Sequence, residues 1–194
     1  MILIGISGKS GAGKTKIAEA LSVELGADVI GFDKISHMSI EKESFKNLVR
    51  EKVSTDVFDA NGNIIRKKLG EVVFNDREKL NLINTHSEAI MIQIIDELIK
   101  SYQKPYLILE YALLPLMKYF NMCNFKILVT ANEAIRCERI MNRDGIGEEY
   151  FKSREKHSVN YIPALFDVVI ENNSNEELSV ESVVKLIKEK ENLC

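Results

Sequence analysis

The chain has 194 residues, 45% of them hydrophobic and 28% charged, with a formal net charge of −3. Those proportions fit a soluble globular protein long enough to bury a full core, most simply one domain with room for an inserted subdomain. They give no global reason to expect nucleic-acid or membrane binding, so any anion site has to be built from local clusters of Lys and Arg. The N-terminal apolar run ends at Gly8, too short for a signal peptide or a membrane span. Cys123, Cys137 and Cys194 form no C-x-x-C pair. Reduced thiols, a cytoplasmic location and no structural zinc are therefore expected.

The first element in the chain is an apolar run, Ile2–Ser7, which reads as a strand. It leads into Gly8-Lys9-Ser10-Gly11-Ala12-Gly13-Lys14-Thr15, and a helix is expected over Lys14–Leu25, ended by Gly26. The string matches G-x-x-x-x-G-K-[ST], the phosphate-binding P-loop, in the strand–turn–helix context that the motif requires. Its glycines let backbone N–H groups turn inward around a triphosphate, and the helix adds its positive N-terminal end. Lys14 can reach the β- and γ-phosphates and the Thr15 hydroxyl can ligate Mg²⁺. Gly8, Gly11, Ala12, Gly13, Lys14, Thr15 and Lys16 are thus the expected ATP-binding residues.

Ala27–Gly31 reads as a short second strand that delivers Asp33 to its C-terminal edge, where open α/β sheets bind ligands. A carboxylate there can take the proton of an acceptor hydroxyl or help hold Mg²⁺; an exposed loop aspartate is the plain alternative. Residues 34–104 show helical periodicity and no β-branched run, with a turn signal at Asp59–Asn63. Such an excursion between two strands is expected to wall the acceptor site. Within it lie the basic cluster Arg66-Lys67-Lys68 and His86, the latter just before an apolar helix.

Tyr106–Glu110 is a buried-strand run ending in an acid, Glu110, which either holds Mg²⁺ through water or forms a strand-end salt bridge. Phe125–Thr130 and Phe166–Ile170 are further strands, and Asn132 can cap a helix running to about Arg143. Val180, Val183, Val184 and Ile187 mark one face of a C-terminal helix. Arg136, Arg139 and Arg143, at i, i+3 and i+7, share a helical face. With the Asp144–Gly147 hinge and the basic stretch through Lys152, Arg154 and Lys156, they predict either a lid that closes over phosphates or a solvated helix face paired with Glu138, Glu148, Glu149 and Glu155. The methionines Met91, Met117, Met122 and Met141 read as core filler.

Strands alternating with helices predict an α/β fold: a P-loop three-layer α/β/α architecture with a mostly parallel five-stranded sheet, a helical insertion and a lid. The expected organisation is one domain over 1–194, with a core of 1–33 and 105–194, an acceptor-binding insertion over 34–104 and a lid at about 144–158. A GTPase-like switch should carry a guanine-reading N-K-x-D; the nearest string, Asn142-Arg143-Asp144, lacks its spacing, and an arginine-rich lid would be of no use to it.

From end to end the chain resembles the dephospho-coenzyme A kinase family. The P-loop, Asp33 from an acid pair, Gly62-Asn63-Ile64-Ile65-Arg66-Lys67-Lys68-Leu69 with Val73-Phe74, His86, Glu110–Leu114, Arg139–Gly145 and Phe166–Asn173 follow that family's order and spacing. The resemblance implies ATP-dependent phosphorylation of the 3′-hydroxyl of dephospho-coenzyme A with Mg²⁺, in a monomer or weak homo-oligomer acting on a small-molecule substrate. It implies Asp33 as base, Arg66 and His86 near the acceptor, and Arg139, Arg143 and Arg154 in the lid, with Lys14 stabilising the transferred phosphoryl. Departures fall at Gly31, Ser87, Ala112 and Leu116, all in the acceptor region; another nucleotide or small metabolite is the alternative acceptor they leave open.

Overall fold

The computed structural model describes residues 1–156, 158–174 and 180–191, with the Arg154 side chain outside that description. The chain divides into two compact units, Met1–Gly31 with Gln103–Cys194, and Phe32–Tyr102.

The first unit is built on a sheet of five parallel strands in the order β2-β3-β1-β4-β5. The strands are β1 (Ile2–Ser7), β2 (Asp28–Gly31), β3 (Tyr106–Glu110), β4 (Phe125–Thr130) and β5 (Val168–Glu171). β1 is central: Ile6 stands opposite Glu110 on β3 and Ile127 on β4. A strand buried on both faces must be apolar on both, which is why Ile2–Ile6 reads as a continuous run. Alternate residues serve opposite layers. Ile4, Ile6, Ile127 and Val129 pack with Ile17, Ala18 and Leu21 of α1 (Lys14–Leu25) and with Val183, Val184 and Ile187 of α9 (Glu181–Glu191). On the other face, Gly5 meets Leu114 of a 3₁₀ turn and Cys123, just past α6 (Lys118–Met122). α7 (Glu133–Asp144) and α8 (Glu148–Glu155) complete this unit among the described residues.

Two strand starts differ from the sequence reading for local reasons. Ala27 is taken by the end of α1, its N–H bonded to the Ser22 carbonyl and its own carbonyl accepting from Ser22 Oγ at 2.6 Å, so β2 starts at Asp28. β5 starts at Val168. Phe166 packs its ring on Phe120 and Tyr161, and the Asp167 carboxylate accepts the Lys126 N–H at 2.7 Å. Asn132 precedes α7 without a side-chain cap; its N–H instead donates to Asn173 Oδ1 at 2.7 Å. Met91 is core, whereas Met122 and Met141 are exposed, contrary to the reading of all four methionines as filler.

The second unit contains α2 (Phe32–Ser39), α3 (Glu43–Lys52), α4 (Arg66–Val73) and α5 (Arg77–Ser101) around a core of Phe45, Val49, Val57, Leu69, Val73 and Ile83. Asp59 closes the expected turn by accepting the N–H groups of Asn61 and Asn63. α2 and α5 are tied by the Ser39 and Ser87 hydroxyls, 2.6 Å apart. His86 does not open a helix, as the sequence suggested. Asp76 caps α5 ten residues earlier by accepting the N–H groups of Glu78 and Lys79, and the helix runs through His86 without a break.

The contact at Gly5 is testable. A Cβ there would lie 2.8 Å from Cys123 Sγ and 3.0 Å from Leu114 Cδ2. Gly5→Ala should lower the stability measured by urea denaturation by about 1–3 kcal/mol. Adding Cys123→Ala should recover part of that loss, giving a non-additive pair.

Candidate active site

The loop between β1 and α1 is held in shape by contacts from distant parts of its own unit. A Cβ on Gly8 would collide with the Val129 carbonyl of β4. Gly13 adopts φ 96°, a left-handed conformation that L side chains rarely accept, and a Cβ there would strike the Asn172 amide. Asn172 is 2% exposed; its Nδ2 donates to the Ala12 carbonyl at 2.8 Å and its N–H to the Thr130 carbonyl at 2.7 Å. The asparagine just beyond β5 therefore clips the loop to the end of the sheet.

Lys14 is buried, with its ammonium 3.5 Å from the Lys9 carbonyl and 3.9 Å from Glu110 Oε1. The Thr15 hydroxyl donates to Glu110 Oε2 at 3.3 Å. Thr15 and Lys16 are exposed in the first turn of α1. Parallel pairing carries Glu110 to the same edge as the loop, because β3 and β1 run side by side and end together. A hard divalent cation such as Mg²⁺ takes oxygen ligands and keeps several waters. The adjacent Thr15 hydroxyl and Glu110 carboxylate fit it, with the remaining positions left to phosphate and water.

The three arginines of α7 diverge. Arg139 donates to the carbonyls of Gly11 (3.4 Å), Asn172 (3.0 Å) and Ser174 (2.9 Å) and to Asn172 Oδ1 (3.4 Å), bracing the loop and the segment after β5 together. Arg143 lies in the last turn of the helix, with its side chain 62% exposed and forked onto Asp144 at 2.7 and 2.9 Å. Arg136 is 4% exposed; its guanidinium donates to the Ser10 carbonyl at 3.3 Å and to both oxygens of Glu155 at 3.0 and 2.8 Å, and packs over the Phe151 ring. Glu155 also pairs with Lys9. Desolvation alone would push the Glu155 carboxyl up, but Arg136 and Lys9 together outweigh it and hold it at about 2.

Sequence reasoning missed Lys9, Asn172 and Glu155 as site-shaping residues. Lys9 occupies a variable position of the motif, Asn172 stood only inside a longer matched string, and Glu155 looked like one more surface partner on a charged helix. Tyr161 was missed as well. Its hydroxyl donates to the Ala112 carbonyl at 2.6 Å, beside a cavity of about 460 Å³ lined in part by Lys9, Ser10, Leu113, Phe151 and Glu155. Burial pushes the Tyr161 phenol up to about 12.

The second unit carries the other expected residues. Asp33 is exposed in the first turn of α2. Arg66 begins α4, half-exposed and 3.9 Å from Glu41. His86 lies in α5 beside the Phe45 ring, and its buried Nε2 has no hydrogen-bond partner among the described residues. Arg154 falls within α8, but its side chain lies outside the described residues.

A parallel five-stranded sheet with helices on both faces and a glycine loop at the end of its central strand defines a P-loop α/β protein. The family model for CoaE, dephospho-CoA kinase, matches residues 2–177. The chain is 31% identical over 179 residues to a dephospho-CoA kinase of Fusobacterium nucleatum, covering 91% of this chain and 92% of that one. It is 32% identical over 195 residues to one from Aquifex aeolicus, covering 96% of each. A crystal structure of a Thermus thermophilus protein, 26% identical, superposes with a TM-score of 0.76 over 97% of both chains. The chain belongs to the dephospho-CoA kinase family.

Two outcomes follow from the geometry. Asn172→Ala removes the donor to Ala12 and should cost about 1–3 kcal/mol in urea denaturation, together with a weaker affinity for ATP measured by calorimetry. The lowered Glu155 value means that the stability its ion pairs supply is fully present above about pH 4.5, the ordinary carboxylate value, and is lost as pH falls through about 2. The urea midpoints of wild type and Glu155→Gln should therefore differ most above pH 5 and converge toward pH 2.

Proposed function

We propose that the protein transfers the γ-phosphoryl group of ATP to the 3′-hydroxyl of dephospho-coenzyme A, giving coenzyme A and ADP. The observation that carries this reading is the loop itself: Lys14 and Thr15 gathered on Glu110 within a braced P-loop, in a chain matched over residues 2–177 by this family.

In the reaction as proposed, the Lys14 ammonium exchanges the Lys9 carbonyl and the Glu110 carboxylate for the γ-phosphoryl oxygens, where charge develops. Thr15 and Glu110 would hold Mg²⁺, with Asp33 as a further ligand, and the cation would neutralise charge on the β- and γ-phosphates. Asp33 stands two residues past the end of β2, in the first turn of α2. It receives the proton of the attacking hydroxyl. Arg139 keeps the loop in place, and Arg143 trades Asp144 for the transferred group, with Arg154 of α8 as a further lid cation. The unit Phe32–Tyr102 receives the acceptor: Arg66 supplies a cation for its phosphates, and the Nε2 of His86, without a partner among the described residues, a polar contact that a ligand can complete. The protein acts in the cytoplasm, as a monomer or weak homo-oligomer, on this small molecule.

Incubation with Mg-ATP and dephospho-coenzyme A should yield coenzyme A by mass spectrometry, and Asp33→Ala should lower kcat at least about a hundredfold. Absence of coenzyme A from wild-type reactions would remove this acceptor, and turnover with another hydroxyl compound would reassign it. An Asp33→Ala enzyme as fast as wild type would remove Asp33 from catalysis.

A further inference from the structure

Glu155 stands out from the other acids of α8 because two cations of the phosphate site converge on it. Arg136 reaches it from α7 with both terminal nitrogens, and Lys9 reaches it from the loop. The Glu155 side chain is 17% exposed and the Arg136 side chain 5%, whereas the Lys9 side chain is 30% exposed and lines the cavity of about 460 Å³ beside the loop. One carboxylate thus balances two positive charges. The two are held very differently: the Arg136 guanidinium also has the Ser10 carbonyl and the Phe151 ring, and is enclosed by protein. Lys9 opens onto the cavity.

We propose that Glu155 is a positioning residue of the phosphate site, a resident anion that holds Lys9 and α8 against the loop and gives up Lys9 to the triphosphate when nucleotide binds. The proposal rests on the reading of the loop as the ATP site. A triphosphate brings more negative charge than one carboxylate, and Lys9 belongs to the loop that wraps it, so phosphate outcompetes Glu155 for that ammonium. Arg136 does not exchange partners, because taking Glu155 away from it would leave an enclosed guanidinium short of its counter-ion. The pair Arg136–Glu155 therefore keeps α8 attached while Lys9 changes hands. In this arrangement Glu155 competes with nucleotide, and its neutral isostere should bind nucleotide more tightly although it folds less stably. A merely structural carboxylate would lower stability and affinity together.

The test is a double-mutant cycle with ATP affinity read by calorimetry in the absence of acceptor. Glu155→Gln should lower the dissociation constant for ATP about threefold, the scale of a partly exposed ion pair. Lys9→Met should weaken binding, and Glu155→Gln in the Lys9→Met background should give no further tightening. Glu155→Asp, which keeps the charge, should bind ATP as wild type does and serves if the glutamine variant does not fold. Unchanged or weaker binding by Glu155→Gln would overturn the proposal, as would tightening that persists without Lys9 or tightening by Glu155→Asp. Failure of the wild type to bind ATP, or equal binding by Lys14→Ala, would instead overturn the reading of the loop on which the proposal rests.

Discussion

The structure of the phosphate site depends on one close approach, that of the Asn172 amide to the backbone of Ala12 and Gly13. The loop bonds to itself through the Ala12 N–H and the Lys9 carbonyl at 3.1 Å, and because N–H groups turned toward an anion cannot also serve the loop, much of its shape has to be imposed from outside. Asn172 does this through the Ala12 carbonyl, Arg139 through the Gly11 carbonyl and Arg136 through the Ser10 carbonyl. Three successive carbonyls are thus held on the outer side of the loop by side chains from beyond β4. The inner side is left to the ligand. Glycine is required where the brace comes closest, which gives Gly13 a packing reason in addition to its left-handed backbone.

Charge is handled in the same local way. A chain with a net charge of −3 still gathers Lys9, Lys14, Arg136 and Arg139 around one loop, and it stations carboxylates among them. Glu110 faces Lys14 and Thr15 from the end of β3, while Glu155 faces Lys9 and Arg136 from α8. Before ligand arrives, these acids keep cations that would otherwise repel one another at short range. A phosphate oxygen that takes up Lys9 or Lys14 has a carboxylate oxygen to displace.

Much of this fold was legible in the sequence because its signals are local. The apolar run Ile2–Ile6, the spacing of Gly8, Gly13 and Lys14, and the stop at Gly26 all act within a few residues of one another, and the strand, loop and helix lie where those signals put them. The strand ends were less legible where a side chain had a better use outside the ladder, as with Phe166 among its aromatic neighbours and Asp167 on the Lys126 N–H. His86 was misplaced for a related reason: the cap at Asp76 is a single short side chain, and the polar residues after it hide a helix of 25 residues. Asn172 stood only inside a longer matched string, and Glu155 only among the acids able to pair with the basic helix face; nothing in the sequence tied either to the loop. Their partners lie 160 and 146 positions away in the chain, at Ala12 and Lys9, and no periodicity records a contact of that separation.

The strand order has a consequence for how the protein comes into being. β1 is made before both of its neighbours, β3 and β4, which begin at Tyr106 and Phe125, and the brace at Asn172 is made later still. At ordinary translation speeds that interval is on the order of ten seconds or more. The most apolar strand of the sheet therefore has no ladder partner until β3 is made, and the glycine loop lacks its brace until Asn172 is made. Nucleotide therefore cannot serve as a template around which the nascent chain organises. It meets a braced pocket only after the chain through Asn172 has been made.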